Sequence, residues 1–225
     1  MATVSRSQAG TSRSQTRAAA REARSGAGPV AEGYDPGPNP GATARFGLFG
    51  ETLTIGLLIT LVSLGVVTLP IALAAGIRHL RRFVAADDSR IALFWQDVRA
   101  GILPSLAVGV PAALAAGVLI LDVRLAGTGA LPGGELIAVV GWAGLVVLAT
   151  AVLVAACTWN PGIGWVAAAR AVPGIVRADA AGAAYLAAAA VFVGVASWAL
   201  APLFIPAIGC AALAVVAVPA RRRRR

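Results

Sequence analysis

Lysine is absent from this 225-residue chain, histidine occurs once, cysteine twice, and only 13% of residues are charged. Water-soluble domains average about a quarter charged residues, so this chain has roughly half the usual polar cover. That shortfall excludes an ordinary soluble domain. Two Cys and one His rule out a disulfide scaffold and leave too few ligands for a structural zinc. No P-loop, HExxH, GxSxG or CxxC pattern occurs. Phosphate-binding, zinc-peptidase, serine-hydrolase and dithiol chemistry therefore have no signal here, and no cofactor or metal is expected.

What the chain does have is apolar length. Hydrophobic residues make up 58% and the mean hydropathy is +0.80. Its 19 cations, all Arg, face 10 carboxylates for a net charge of +9. In a chain this apolar, such a balance points to anionic phospholipid before nucleic acid.

Residues 1–45 are mostly Ser, Thr, Arg, Ala, Gly and Pro, with Val4 and Val30 the only aliphatic residues larger than Ala. They cannot bury enough surface to offset ordering entropy, which predicts a disordered basic tail. No apolar core of a secretory signal precedes residue 52. Beyond the tail, the uncharged gaps mark the membrane body, 46–220, because a helix needs about 20 apolar residues to cross hydrocarbon. The predicted spans are 52–77, 100–121, 136–158, 180–200 and 203–219. The stretch 180–220 would run about 62 Å as one helix, twice the hydrocarbon thickness, so Pro202 and Pro206 are read as a fold-back. The expected fold is all-α, a polytopic membrane helix bundle of about five transmembrane helices, in the cell membrane, with a disordered N-terminal tail.

Arg distribution sets the orientation. Five spans with the C-terminus inside place Arg78, Arg81, Arg82, Arg90, Arg99, Arg170, Arg177 and the 221–225 poly-Arg run on the inner face, against Arg45 and Arg124 outside. Four spans with both ends inside divide these residues evenly. Counting the tail's own Arg residues makes the two arrangements score alike, so the side of the tail stays open. Trp95, Trp159 and Trp165 fall toward one interface and Trp142 and Trp198 toward the other, as belt residues would.

Residues 77–99, IRHLRRFVAADDSRIALFWQDVR, form an amphipathic cytoplasmic elbow. Ile77, Leu80, Val84, Ile91, Phe94 and Val98 recur at helical spacing, with Arg78, Arg81, Arg82, Arg90 and Arg99 opposite. Any basic loop shaped by the positive-inside rule looks much like this. The aromatic pair Phe94 and Trp95 adds the character of a partner or lipid contact. In the second span Gly101, Ser105, Gly109, Ala113 and Gly117 recur at every fourth position, a stripe suited to close helix packing.

Chemistry-bearing groups are sparse at depth. His79 reads as a solvated neighbour of the adjacent Arg residues, and Cys157 and Cys210 as small buried hydrophobes. Asp122, Arg124 and Glu135 read as interfacial. Ser63, Ser105, Ser197, Thr60 and Thr150 have no base beside them, so catalysis ranks last and the chain is read as non-enzymatic.

Residues 47–102, from GLFGETLTIGLLITLVSLGVVTLPIALAAG to the DVRAGI run, resemble the front of the YesL-like family of small bacterial integral membrane proteins. The likeness lies in a long first span ending in Leu69-Pro70, the basic turn Arg78–Arg82, the Asp87-Asp88 break, and Phe94 before Arg99. It implies an uncharacterised group of about five helices associated with carbohydrate uptake. It also implies an accessory role beside sugar-transporter permease subunits. Total replacement of Lys by Arg, with abundant Ala, fits a GC-rich bacterium. A small transporter or channel for a neutral solute is the alternative reading, since Gly- and Pro-rich spans permit broken helices.

Overall fold

The computed structural model describes residues 45–129 and 132–220; the expectations for the tail before Arg45 and for the poly-Arg run lie outside them. Among the described residues the regular structure is all helical, with no strand. In chain order the helices are α1 (Arg45–Val62), α2 (Leu69–Val84), α3 (Ile91–Ala126), α4 (Gly134–Thr158), α5 (Trp165–Ala178), α6 (Ala180–Ala199) and α7 (Phe204–Ala220). Five stretches are long and apolar enough to cross a membrane: Arg45–Val84, Ile91–Ala126, Gly134–Thr158, Ala180–Ala199 and Ala201–Pro219.

The first of these is folded back on itself. Where a single span at 52–77 was expected, a 3-10 turn over Ser63–Thr68 separates α1 from α2. Gly65 leaves helical geometry and Val66 takes a positive φ of 33°, a backbone state that β-branched residues avoid. The Thr68 hydroxyl donates to the Val62 carbonyl and so satisfies one group freed by the break. Beyond the turn α2 runs antiparallel to α1. Gly76 packs on Ile55 and Ile59, and His79 meets Glu51 near the start of α1. The arms are about 27 and 24 Å long.

The hairpin changes the chain's geography. Arg45, expected opposite the elbow, begins α1 at the same end of the bundle as the elbow. The legs then alternate. Arg78 of α2 meets Asp97 of α3, Gly134 of α4 packs on Ala126 of α3, and Gly182 of α6 packs on Val218 of α7. One end therefore carries Arg45, Arg78, Arg81, Arg82, Arg90, Arg99, Arg170 and Arg177. The other carries Arg124 alone among the described Arg residues.

Helix α2 is the core. Residues 70–77, His79 and Leu80 are buried, walled by α1, α3, α4 and α7. Helix α1 closes the ring against α7, where an added Cβ at Gly56 would lie 2.2 Å from the Ile205 carbonyl oxygen. Only backbone without side chains can approach so closely. By contrast the outer surface is apolar. Leu103 is 76% exposed, Val147 68% and Trp198 89%. Hydrocarbon solvates such a surface, whereas water would drive it to aggregate.

Helix α5 lies between the predicted spans 136–158 and 180–200, in a segment to which the sequence reading assigned no element. Asn160 shapes the break, its side chain accepting from the Gly162 and Ile163 amides at 3.0 and 3.1 Å. Trp165 and Ala168 are buried, and Val172 and Val176 pack on the core. Arg170 and Arg177 remain exposed. The helix thus caps the basic end.

Candidate functional site

The last turns of α2 bring three Arg residues to one end of the core, and each finds a partner from another helix. Asp97 of α3 accepts from Arg78 Nε at 3.1 Å and from Arg82 Nη2 at 2.8 Å. Its side chain is only 9% exposed, so a charge at that depth requires such pairing. Arg81 reaches α4, donating to the Cys157 carbonyl oxygen at 3.0 Å and to its Sγ at 2.8 Å. The α4 carbonyls near that end have no intrahelical donor, and a guanidinium there also favours the negative pole of the helix dipole. Arg78 additionally lies 5.8 Å from the Trp159 ring centre, a cation–π distance. Trp159 in turn stacks on Trp165 at 5.3 Å.

Several expectations change on this geometry. Arg78, Arg81 and Arg82 tie α2 to α3 and α4 instead of forming an open cationic face. Phe94 is fully buried in the core, which leaves it no surface for a partner; its apolar position serves packing. Trp95 is half-buried, edge-on to Phe94 at 5.5 Å. His79 is completely buried against Glu51, not solvated among its Arg neighbours. Trp159 and Trp165 are core residues at 3% and 2% exposure, not belt residues. Cys157 is half-buried and holds Arg81, and Cys210 is exposed on the apolar exterior. Arg90 and Arg99 do project outward.

Within the elbow, Asp88 binds Arg90 at 2.7 Å on the surface. The Arg90 guanidinium hydrogen bond holds the Asp88 carboxyl below its ordinary 3.8, and Asp88 reciprocally raises Arg90.

The small-residue stripe divides. A Cβ at Gly101 would lie 2.3 Å from Ile71 Cδ1, and one at Gly109 1.9 Å from the Val67 carbonyl oxygen. Ser105 is buried between them and donates to the Ile102 carbonyl at 2.8 Å. Ala113 lines an apolar cavity. Gly117 faces open space, with nothing within 4 Å of an added Cβ.

Asp97 and Glu51 are the polar residues that the sequence reading passed over. Asp97 stands three residues after Phe94, on the apolar side of α3's first turns, and a carboxylate there signals a buried pair. Glu51 carries no comparable signal before the hairpin is known. No group of three or more His, Cys, Asp or Glu among the described residues could hold a metal ion.

The fold and its apolar exterior define the class: an all-helical, multi-pass integral membrane protein. Comparison with protein-family models, curated proteins and solved structures finds no match.

Proposed function

We propose that this protein is a non-enzymatic accessory component of the cell membrane that presents its basic end to a membrane partner. The observation that carries the reading is how the polar side chains are used. Arg78, Arg82 and Asp97, Arg81 and Cys157, and His79 and Glu51 are engaged with one another across helices. Such pairings stiffen a platform and leave those groups little freedom for proton transfer or substrate contact. Outside that platform Arg90, Arg99, Arg170 and Arg177 project from the elbow and α5. They suit anionic phospholipid and an acidic partner surface.

The resemblance of residues 47–102 to the YesL-like group supports a partner among sugar-transporter permease subunits. Passage of a neutral solute is the weaker reading. The cavity beside α2 is lined by apolar side chains alone, and a hydroxylated solute would lose its water hydrogen bonds there without replacement.

Co-purification from native membranes in mild detergent, with partners identified by mass spectrometry, tests the proposal. Recovery of a permease subunit with the wild type, lost in an Arg90→Ala, Arg99→Ala, Arg170→Ala variant, is the expected result. Recovery of the chain alone, with sugar uptake unchanged on deletion, overturns it. Flux in proteoliposomes holding only this chain would favour transport.

A further inference from the structure

Away from the basic end, helix α2 does not meet α6; among the described residues the two make no close approach. The gap between them is a cavity of about 240 Å³, reaching Pro70 and Leu73 of α2 and Phe204 and Ile208 of α7. A second space of about 560 Å³ lies on the seam of α4 and α6, flanked by Trp142 and Trp198. Leu145, Ala149, Ala190 and Val193 line both. The two spaces share that wall, one on the outer seam of α4 and α6 and the other against the central helix.

Small residues keep the crevice open. Ala149, Ala190 and Gly194 stand where larger side chains would close the seam. Nearer the basic end the same helices bury Val154 and Leu186. The inner wall offers no polar side chain, so water, which needs two to four polar partners, has no footing there. An unfilled space of that size would also leave its lining atoms without dispersion contacts. The outer space is lined by Val191, Val195 and Trp198, at 44%, 58% and 89% exposure, on a stretch apolar enough to span a membrane. A ligand entering by this seam comes laterally out of hydrocarbon.

We infer that this crevice is a binding site for one acyl chain of a bilayer lipid. The chain enters between α4 and α6 and reaches Leu73 on α2. Its headgroup stays near Trp198, in the last turn of α6 at the Arg-poor end, the depth that amphipathic indole rings favour. This differs from ordinary lipid contact, because Leu73 is 2% exposed and lies beyond reach of the surrounding lipid shell. The site is independent of the basic-end platform.

The test uses the full chain reconstituted in phosphatidylcholine vesicles containing a phosphatidylcholine with a diazirine near the end of one acyl chain. After illumination, adducts are mapped by mass spectrometry. Adducts on the α2 peptide around Leu73, together with adducts on lipid-facing Leu61 and Leu114, are expected for the wild type. In Ala149→Phe, and separately in Gly194→Leu, the α2 adducts should disappear while those on Leu61 and Leu114 persist. That persistence reports a folded, inserted protein. Wild-type protein labelled at Leu61 and Leu114 but not on α2 overturns the inference. So does α2 labelling that both variants leave unchanged. Absence of labelling at Val191 and Val195 in the wild type would also overturn it, showing a second copy or another helix seated on the seam.

Discussion

The imidazole of His79 is wholly buried and its Nε2 is bonded to the carboxylate of Glu51, 28 residues earlier in the chain. This contact pins the open ends of the α1–α2 hairpin together. Glu51→Ala would leave the buried ring nitrogen without that partner, an expected cost of about 1–3 kcal/mol. Thermal unfolding in detergent should show a clear drop in midpoint for Glu51→Ala and a smaller one for Glu51→Gln, whose amide retains hydrogen-bonding capacity. An unchanged midpoint in Glu51→Ala would mean the contact does not hold the hairpin.

The hairpin also fixes which residues share a side of the membrane. In a Cys157→Ala, Cys210→Ala background, single cysteines at Arg45 and Arg170 should react with an impermeant maleimide from the same face. A cysteine at Arg124 should react only from the opposite face. If Arg45→Cys shared its face with Arg124→Cys, α1 and α2 would have to form one continuous span.

Gly109 and Gly117 sit two turns apart on one stripe but in unlike surroundings. Gly109→Ala drives a methyl into the Val67 carbonyl, where backbone must move, and should cost about 1–3 kcal/mol. Gly117→Ala meets open space and should be neutral or slightly stabilising, since Ala is the better helix former. Equal melting shifts for the two would contradict the close approach of the turn to α3.

Asp88 should titrate below its ordinary 3.8, because Arg90 hydrogen-bonds the ionised form. A carboxyl lowered in the folded chain contributes stability above its ordinary value and loses it as pH falls through the lowered one. The pair is fully exposed, so neutral-pH unfolding should not register it. Carboxylate NMR of the detergent-solubilised protein should show Asp88 returning toward 3.8 in Arg90→Ala. A titration midpoint unmoved by that change would remove Arg90 as the cause.

How much of this was legible in the sequence follows from what each signal measures. Charge-free gaps report hydrocarbon depth, and they located the apolar stretches well, including the fold-back near Pro202. They are blind to a reversal that carries no charge. Ser63, Gly65, Thr68 and Pro70 were the available marks of the α1–α2 turn, yet membrane helices tolerate each of them when neighbours satisfy the backbone. Aromatic position was ambiguous for a related reason. Trp159 and Trp165 lie at interface depth along the chain, but whether a ring at that depth faces lipid or core depends on α5, a helix the span pattern did not include. Asp97 had a clear signal on an apolar helix face, and its partners became identifiable only once α2 ran back toward it.

The ring closure of α1 on α7 has a consequence for biogenesis. Gly56 and Gly209 bring together the first and last described helices so closely that neither position has room for a side chain. During synthesis α1 is without that neighbour until α7 has emerged and inserted, and α2 lacks one of its walls for the same interval. Completion of this bundle therefore waits on α7. A chain cut short before residue 204 would leave the Gly56 face of α1 uncovered.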